Sequence, residues 1–165
     1  MLLLPLLLTA CGEDSGPESS MVQEQLAKNF DTTAHITYGE IQAELRISKA
    51  DGKCVATLLE PELVRDMTFV FTDDLVSIEY MGLHFDLDPN SLPAQAVASI
   101  MVSTINAAVE PYGVEMSIQD NVILLEGDSD AGRFTLRLDK ENGNFLSVDI
   151  PSAGFAAEFE NFTFS

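Results

Sequence analysis

Basic residues are scarce in this chain. Across 165 residues, 8 Lys and Arg stand against 27 Asp and Glu, a formal net charge of −19 at pH 7. A protein so short of cations cannot neutralise a phosphate backbone, which argues against nucleic acid as a partner. It also disfavours lying flat on anionic lipid. The charge reads first as solubility. Tryptophan is absent, and there are two histidines, His35 and His84, and two cysteines, Cys11 and Cys54. A metal centre needs several His, Cys or acidic ligands held together. The pair His84 and Asp86 share a strand face, but no further cluster accompanies them, so no metal or cofactor is expected. The chain has no C-x-x-C pair, no G-x-S-x-G elbow and no glycine-rich phosphate loop. The turns "GDSDAG" and "DKENGN" offer oxygen ligands but do not match a calcium loop. Cys54, alone in an alternating strand, reads as a small core residue. Nothing points to catalysis.

What is present begins with "LLLPLLLTACGEDSGPESS". The apolar run over 1–10 is shorter than the ~20 residues of a permanent membrane helix, and it has the character of an export signal. Pro5 and the lack of alternation count against a buried strand. Residues 12–20 hold Gly, Ser, Pro and acids without a large apolar side chain, the composition of a flexible linker. About 150 residues then remain, enough for one domain with a sizeable core.

That body, 21–165, is written mainly in period two. Val22, Leu26 and Phe30 predict a short helix over about 21–30. Ala34, Ile36 and Tyr38, then Ile41, Ala43, Leu45 and Ile47, predict two half-buried strands around a Gly39-Glu40 turn. Asp51-Gly52 predicts a tight hairpin into a strand with Val55, Thr57 and Leu59 on one face. "PELVRD" reads as a loop or single turn. Three short strands follow, carrying Met67, Phe69 and Phe71, then Val76, Ile78 and Tyr80, then Leu83, Phe85 and Leu87, with turns at Asp73-Asp74 and Met81-Gly82. The pattern changes once. Over about 92–109, Val97, Ile100, Met101, Thr104, Ile105 and Ala108 form a helical stripe between Pro93 and Pro111. Leu92 to Val109 contains no charge, so this helix should be covered over much of its circumference. Strands resume with Val114, Met116 and Ile118, with Val122, Leu124 and Glu126 or the opposite face, with Phe134, Leu136 and Leu138, and with Phe145, Val148 and Ile150. Phe155, Phe159 and Phe162 close the chain. The count is about eleven strands and two helices, with no internal repeat.

Leu8, Thr9 and Ala10 before Cys11, with Gly12 after it, resemble the lipobox of bacterial lipoproteins. The resemblance implies cleavage before Cys11, a diacylglycerol on its thiol, and attachment to the outer face of the cell membrane. It also competes with a Cys11–Cys54 disulfide. Such a signal normally opens with Lys or Arg, and none stands before Lys28, so the natural start is left open. The body, a long meander interrupted by one weakly polar helix, resembles the LolA/LolB lipoprotein carriers and the LppX/LprG lipoproteins. "GRFTLRLDKENGNFLSVDIP" with "FAAEFENFTF" is similar to the tail of small clostridial lipoproteins. The resemblance implies an α+β fold, a curled antiparallel half-barrel closed by one or two helices. It implies an acyl chain or other apolar ligand held between sheet and helix. Candidate lining residues are Phe69, Phe71, Ile78, Tyr80, Phe85, Val97, Ile100, Met101 and Ile105, with ordinary core packing as the alternative. The competing function is a scaffold that binds another envelope protein.

Overall fold

The computed structural model describes residues 22, 24, 27–72, 75–88, 100, 103, 104, 107, 108 and 113–165. The leader, Cys11, the linker, the Asp73-Asp74 turn and the candidates Val97, Met101 and Ile105 lie outside these residues. Eleven strands are described: β1 (Phe30–Tyr38), β2 (Ile41–Ala50), β3 (Lys53–Glu60), β4 (Thr68–Phe71), β5 (Val76–Tyr80), β6 (Leu83–Leu87), β7 (Val114–Gln119), β8 (Val122–Ser129), β9 (Gly132–Asp139), β10 (Phe145–Ile150) and β11 (Phe155–Phe164). The alternation that predicted strands therefore holds through both halves of the chain. "PELVRD" contributes one short 3-10 turn, Glu62–Val64.

All eleven strands form one sheet in the order β6-β5-β4-β3-β2-β1-β11-β10-β9-β8-β7. Every pairing is antiparallel. The first and last strands meet in the middle, and β6 and β7 lie at opposite edges. Short turns fix the register elsewhere. Asp51-Gly52 and Met81-Gly82 both have positive φ at each residue (51° and 76°, 51° and 80°), the backbone of a two-residue type I′ hairpin.

One face carries the apolar side chains. Ile36, Ala157, Val148, Leu136, Leu125 and Met116 stand opposite one another across six consecutive strands. Phe30, Phe145, Phe159, Phe162 and Phe164 pack there with ring centroids 4.9–5.6 Å apart. Aromatic pairs at such spacings add roughly 0.5–1.5 kcal/mol each beyond burial. Val22, Ile100 and Ala108, all helical, belong to the same buried cluster. Ile100, Thr104 and Ala108 recur at i, i+4 and i+8, and all are at most 2% exposed. The Thr104 hydroxyl is satisfied by donating to the Ile100 carbonyl at 2.7 Å. A core confined to one face accords with a curled half-barrel.

The structure corrects one detail of the sequence reading and settles two faces that it left open. Residues 22, 24 and 27 are helical, but Phe30 already belongs to β1, so the N-terminal helix ends earlier. On β8 the inward residues are Ile123 and Leu125 rather than Val122 and Leu124, because Leu125 stands opposite Leu136 and Ile123 opposite Leu138. On β3 the inward residues are Cys54, Ala56 and Leu58, while Val55, Thr57 and Leu59 share the outer face. A bulge between β2 and β3 follows: Leu45 pairs with Leu58, but Glu44 with Glu60. Among the described residues, no helix is long and apolar enough to cross a membrane, which says nothing of strands.

Candidate functional site

The apolar face is not covered evenly. Ile47, Ala56, Phe69, Ile78 and Phe85 form one cross-strand row running from β2 to the β6 edge. Ile47 is 2% and Ala56 6% exposed; Phe69 and Ile78 are half-buried; Phe85 is 53% exposed. The neighbouring row toward the β4–β5 turn stays covered, with Phe71 at 7% and Val76 at 3%. The open region is thus a corner of the face, at the β5–β6 hairpin. Leu83 and Met81 are exposed there, and so is Leu63 on the β3–β4 turn. Tyr80, half-buried, ties that turn in place by donating its hydroxyl to the Leu63 carbonyl at 2.6 Å. The Phe69 and Phe71 rings stack at 6.5 Å beneath the corner.

The structure therefore splits the sequence candidates. Phe71 and Ile100 are buried core; Phe69, Ile78 and Tyr80 line the partly open corner; Phe85 stands at its exposed margin. Sequence reasoning did not single out Leu63, Met81 and Leu83. Their sign was large apolar residues beside turns, where polar ones are usual.

The outer face is polar around β1, β2 and β11. A groove of about 560 Å³ opens there across β1, β2, β3 and β11, lined by His35, Thr37, Gln42, Glu44, Glu60, Pro61 and Glu158 among others. It lies on the side of the sheet away from the apolar corner and is acidic, so it is not the cavity expected for an apolar ligand. Farther along the same face, His84 Nε2 lies 2.8 Å from Asp86, and Nδ1 lies 3.5 Å from Glu79. Ser77 donates to the Asp86 carboxylate at 2.7 Å. This hydrogen bond, with the nearby His84 charge, holds Asp86 below the ordinary carboxylate range. The serine is thus oriented by the carboxylate and not by the imidazole, unlike a serine activated as a nucleophile. Cys54 is a free thiol on the apolar face. Burial pushes it up to about 11 against the smaller opposing effect of Lys49, which leaves it protonated and unreactive at neutral pH. Among the described residues, no three His, Cys, Asp or Glu side chains are placed to hold a metal.

No protein-family model and no curated protein matches the chain. Solved structures do. An uncharacterised conserved protein from Thermus thermophilus superposes with a TM-score of 0.60 at 12% identity, over 88% of this chain and 84% of that one. A chain from the complex of the CwlD amidase with the GerS lipoprotein of Clostridioides difficile matches with a TM-score of 0.53 at 11% identity, over 94% of this chain and 100% of that one. A LolA superfamily protein from Nitrosomonas europaea is a looser neighbour, with a TM-score of 0.44 at 8% identity over 89% and 93% of the two chains. Identities this low show a shared fold and leave function to the site.

Proposed function

We propose that this protein is an extracytoplasmic lipoprotein that binds a lipid or other apolar ligand without catalysis. In this reading residues 1–10 are a cleaved signal, Cys11 carries the lipid that holds the protein on the outer face of the membrane, and 11–20 is the tether. The domain over 21–165 then takes an apolar chain along the open corner of the sheet. The observation that supports it best is the fall in burial along the Ile47–Ala56–Phe69–Ile78–Phe85 row. A core with no further occupant would bury its large apolar residues to the edge, since each buried Phe or Ile is worth roughly 1.5–3 kcal/mol. Uptake of a fluorescent fatty acid by the full chain tests the reading. Binding should saturate and should be lost in Ile78→Asp, which puts a charge into the corner. Equal uptake by Ile78→Asp would remove the corner from the site. For the anchor, Cys11→Ala should release the protein from membranes or leave its leader uncleaved; normal retention would refute lipidation.

A second reading has one observation in its favour. One neighbour comes from a complex of an amidase with a lipoprotein, and an exposed apolar corner suits a protein partner as well as a lipid. An envelope scaffold would retain the corner and bind no fatty acid, so the same uptake experiment separates the two.

A further inference from the structure

We infer that the β6 edge pairs with β6 of a second copy of this chain, joining two sheets edge to edge. Among the described residues, β6 has one strand neighbour, β5, so its other side offers free main-chain donors and acceptors. Edge strands are normally protected by Lys, Pro, a bulge or an inward charge. β6 reads Leu-His-Phe-Asp-Leu, with no Lys or Pro, and its pairing to β5 runs without a register shift. Its inward Leu83 and Phe85 are 59% and 53% exposed.

The strand is a chemical palindrome about Phe85. In an antiparallel pair centred there, Leu83 meets Leu87 of the second copy, Phe85 meets Phe85, and His84 meets Asp86 on both sides of the two-fold axis. All three apolar pairs then fall on the core face, and both imidazole–carboxylate pairs fall on the outer face. The main chain suits the same register. Tyr80 and Leu83 flank the two-residue Met81-Gly82 turn, which makes them a hydrogen-bonded pair, and hydrogen-bonded and non-bonded pairs alternate from there. Leu83, Phe85 and Leu87 therefore spend their main-chain groups on β5. His84 and Asp86 point theirs at the free edge, where each would exchange hydrogen bonds with the residue opposite. Like charges never face each other across this axis, and a slip by one residue would turn the apolar side chains to the polar face.

The pairing stands apart from the ligand reading, since it needs no lipid. The test is cysteine cross-linking of the full chain. At the axis, the Cα atoms of Phe85 and its mate would lie about 4.5 Å apart as a non-bonded pair, within disulfide reach. Leu83 and its mate would lie about 14 Å apart along the strands, out of reach. Mild oxidation of Phe85→Cys should convert the chain to a covalent dimer, while Leu83→Cys and the wild-type chain stay at background. Phe85→Lys, folded by circular dichroism, should lose any dimer mass seen for wild type in light scattering. Cross-linking no greater at Phe85→Cys than at Leu83→Cys would overturn the pairing, as would a dimer that persists in Phe85→Lys.

Discussion

Two phenylalanines on the same face of the sheet should behave in opposite ways when truncated. Phe145 is 1% exposed and sits among Phe30, Phe159 and Phe162, with ring centroids at 5.4, 5.6 and 4.9 Å. Phe145→Ala removes a fully buried ring and leaves a hole whose walls are three other rings, so the loss should be about 3–5 kcal/mol. A domain of this size has roughly 5–15 kcal/mol in all, and each kcal/mol moves Tm by about 2–4 °C. Phe145→Ala should therefore lower Tm by about 6–20 °C. Phe85 lies at the end of the uncovered row and is 53% exposed. Much of its ring is in water before the mutation, so Phe85→Ala should cost about 1 kcal/mol or less and shift Tm by no more than about 4 °C. Thermal unfolding followed by circular dichroism, on both variants at one protein concentration, decides the matter. If Phe85→Ala destabilises as much as Phe145→Ala, the corner is ordinary core, and the argument from its exposure fails.

Other consequences follow from single positions. A Cβ at Gly127 would lie 2.9 Å from the Phe134 ring, and Phe134 has 0% exposure and nowhere to retreat. Gly127→Ala should destabilise by about 1–3 kcal/mol despite the gain in backbone stiffness, and a urea midpoint at or above wild type would refute it. Cys54, with its thiol raised to about 11, should react with a thiol reagent slowly at pH 8 and rapidly once unfolded. The raised value also means that Cys54 stabilises the fold fully below the ordinary thiol range and loses that contribution as pH climbs toward about 11. Asp86 has the opposite sign: its lowered value adds stability above the ordinary carboxylate range, and this is lost as pH falls through the depressed value. Ser77→Ala removes the first cause, so an NMR titration of the Asp86 carboxyl should move upward; an unchanged titration would show that the hydroxyl does not hold it.

The strands were legible because alternation is local. Ala34, Ile36 and Tyr38 needed no partner to announce a half-buried strand. Faces were harder wherever a bulge changes the count. Phe159 and Phe162 are three apart, which breaks a period of two, yet both point inward. Thr33 pairs with Glu160 and Asp31 with Thr163, so one extra residue on β11 switches the parity. Asn161 takes positive φ there, and Thr32 donates to the freed Glu160 carbonyl at 2.9 Å. A second bulge lets Phe145 and Val148 both face in. Neither the meeting of β1 with β11 nor the uncovered corner could be read from the sequence. Both depend on which strand lies beside which, a long-range choice that local pattern does not encode. Phe85 alternates as regularly as Phe71, and the difference between them, 53% against 7% exposed, shows only once the strand order is known.

The central claim is that the open corner holds an apolar ligand. Native mass spectrometry of the full protein, taken gently from its own cells, tests that most directly. The account predicts a bound mass, beyond any covalent lipid on Cys11, that survives extraction in the wild type and disappears in Ile78→Asp. A protein that arrives with no such mass, and that takes up none from added fatty acid or phospholipid, would contradict it.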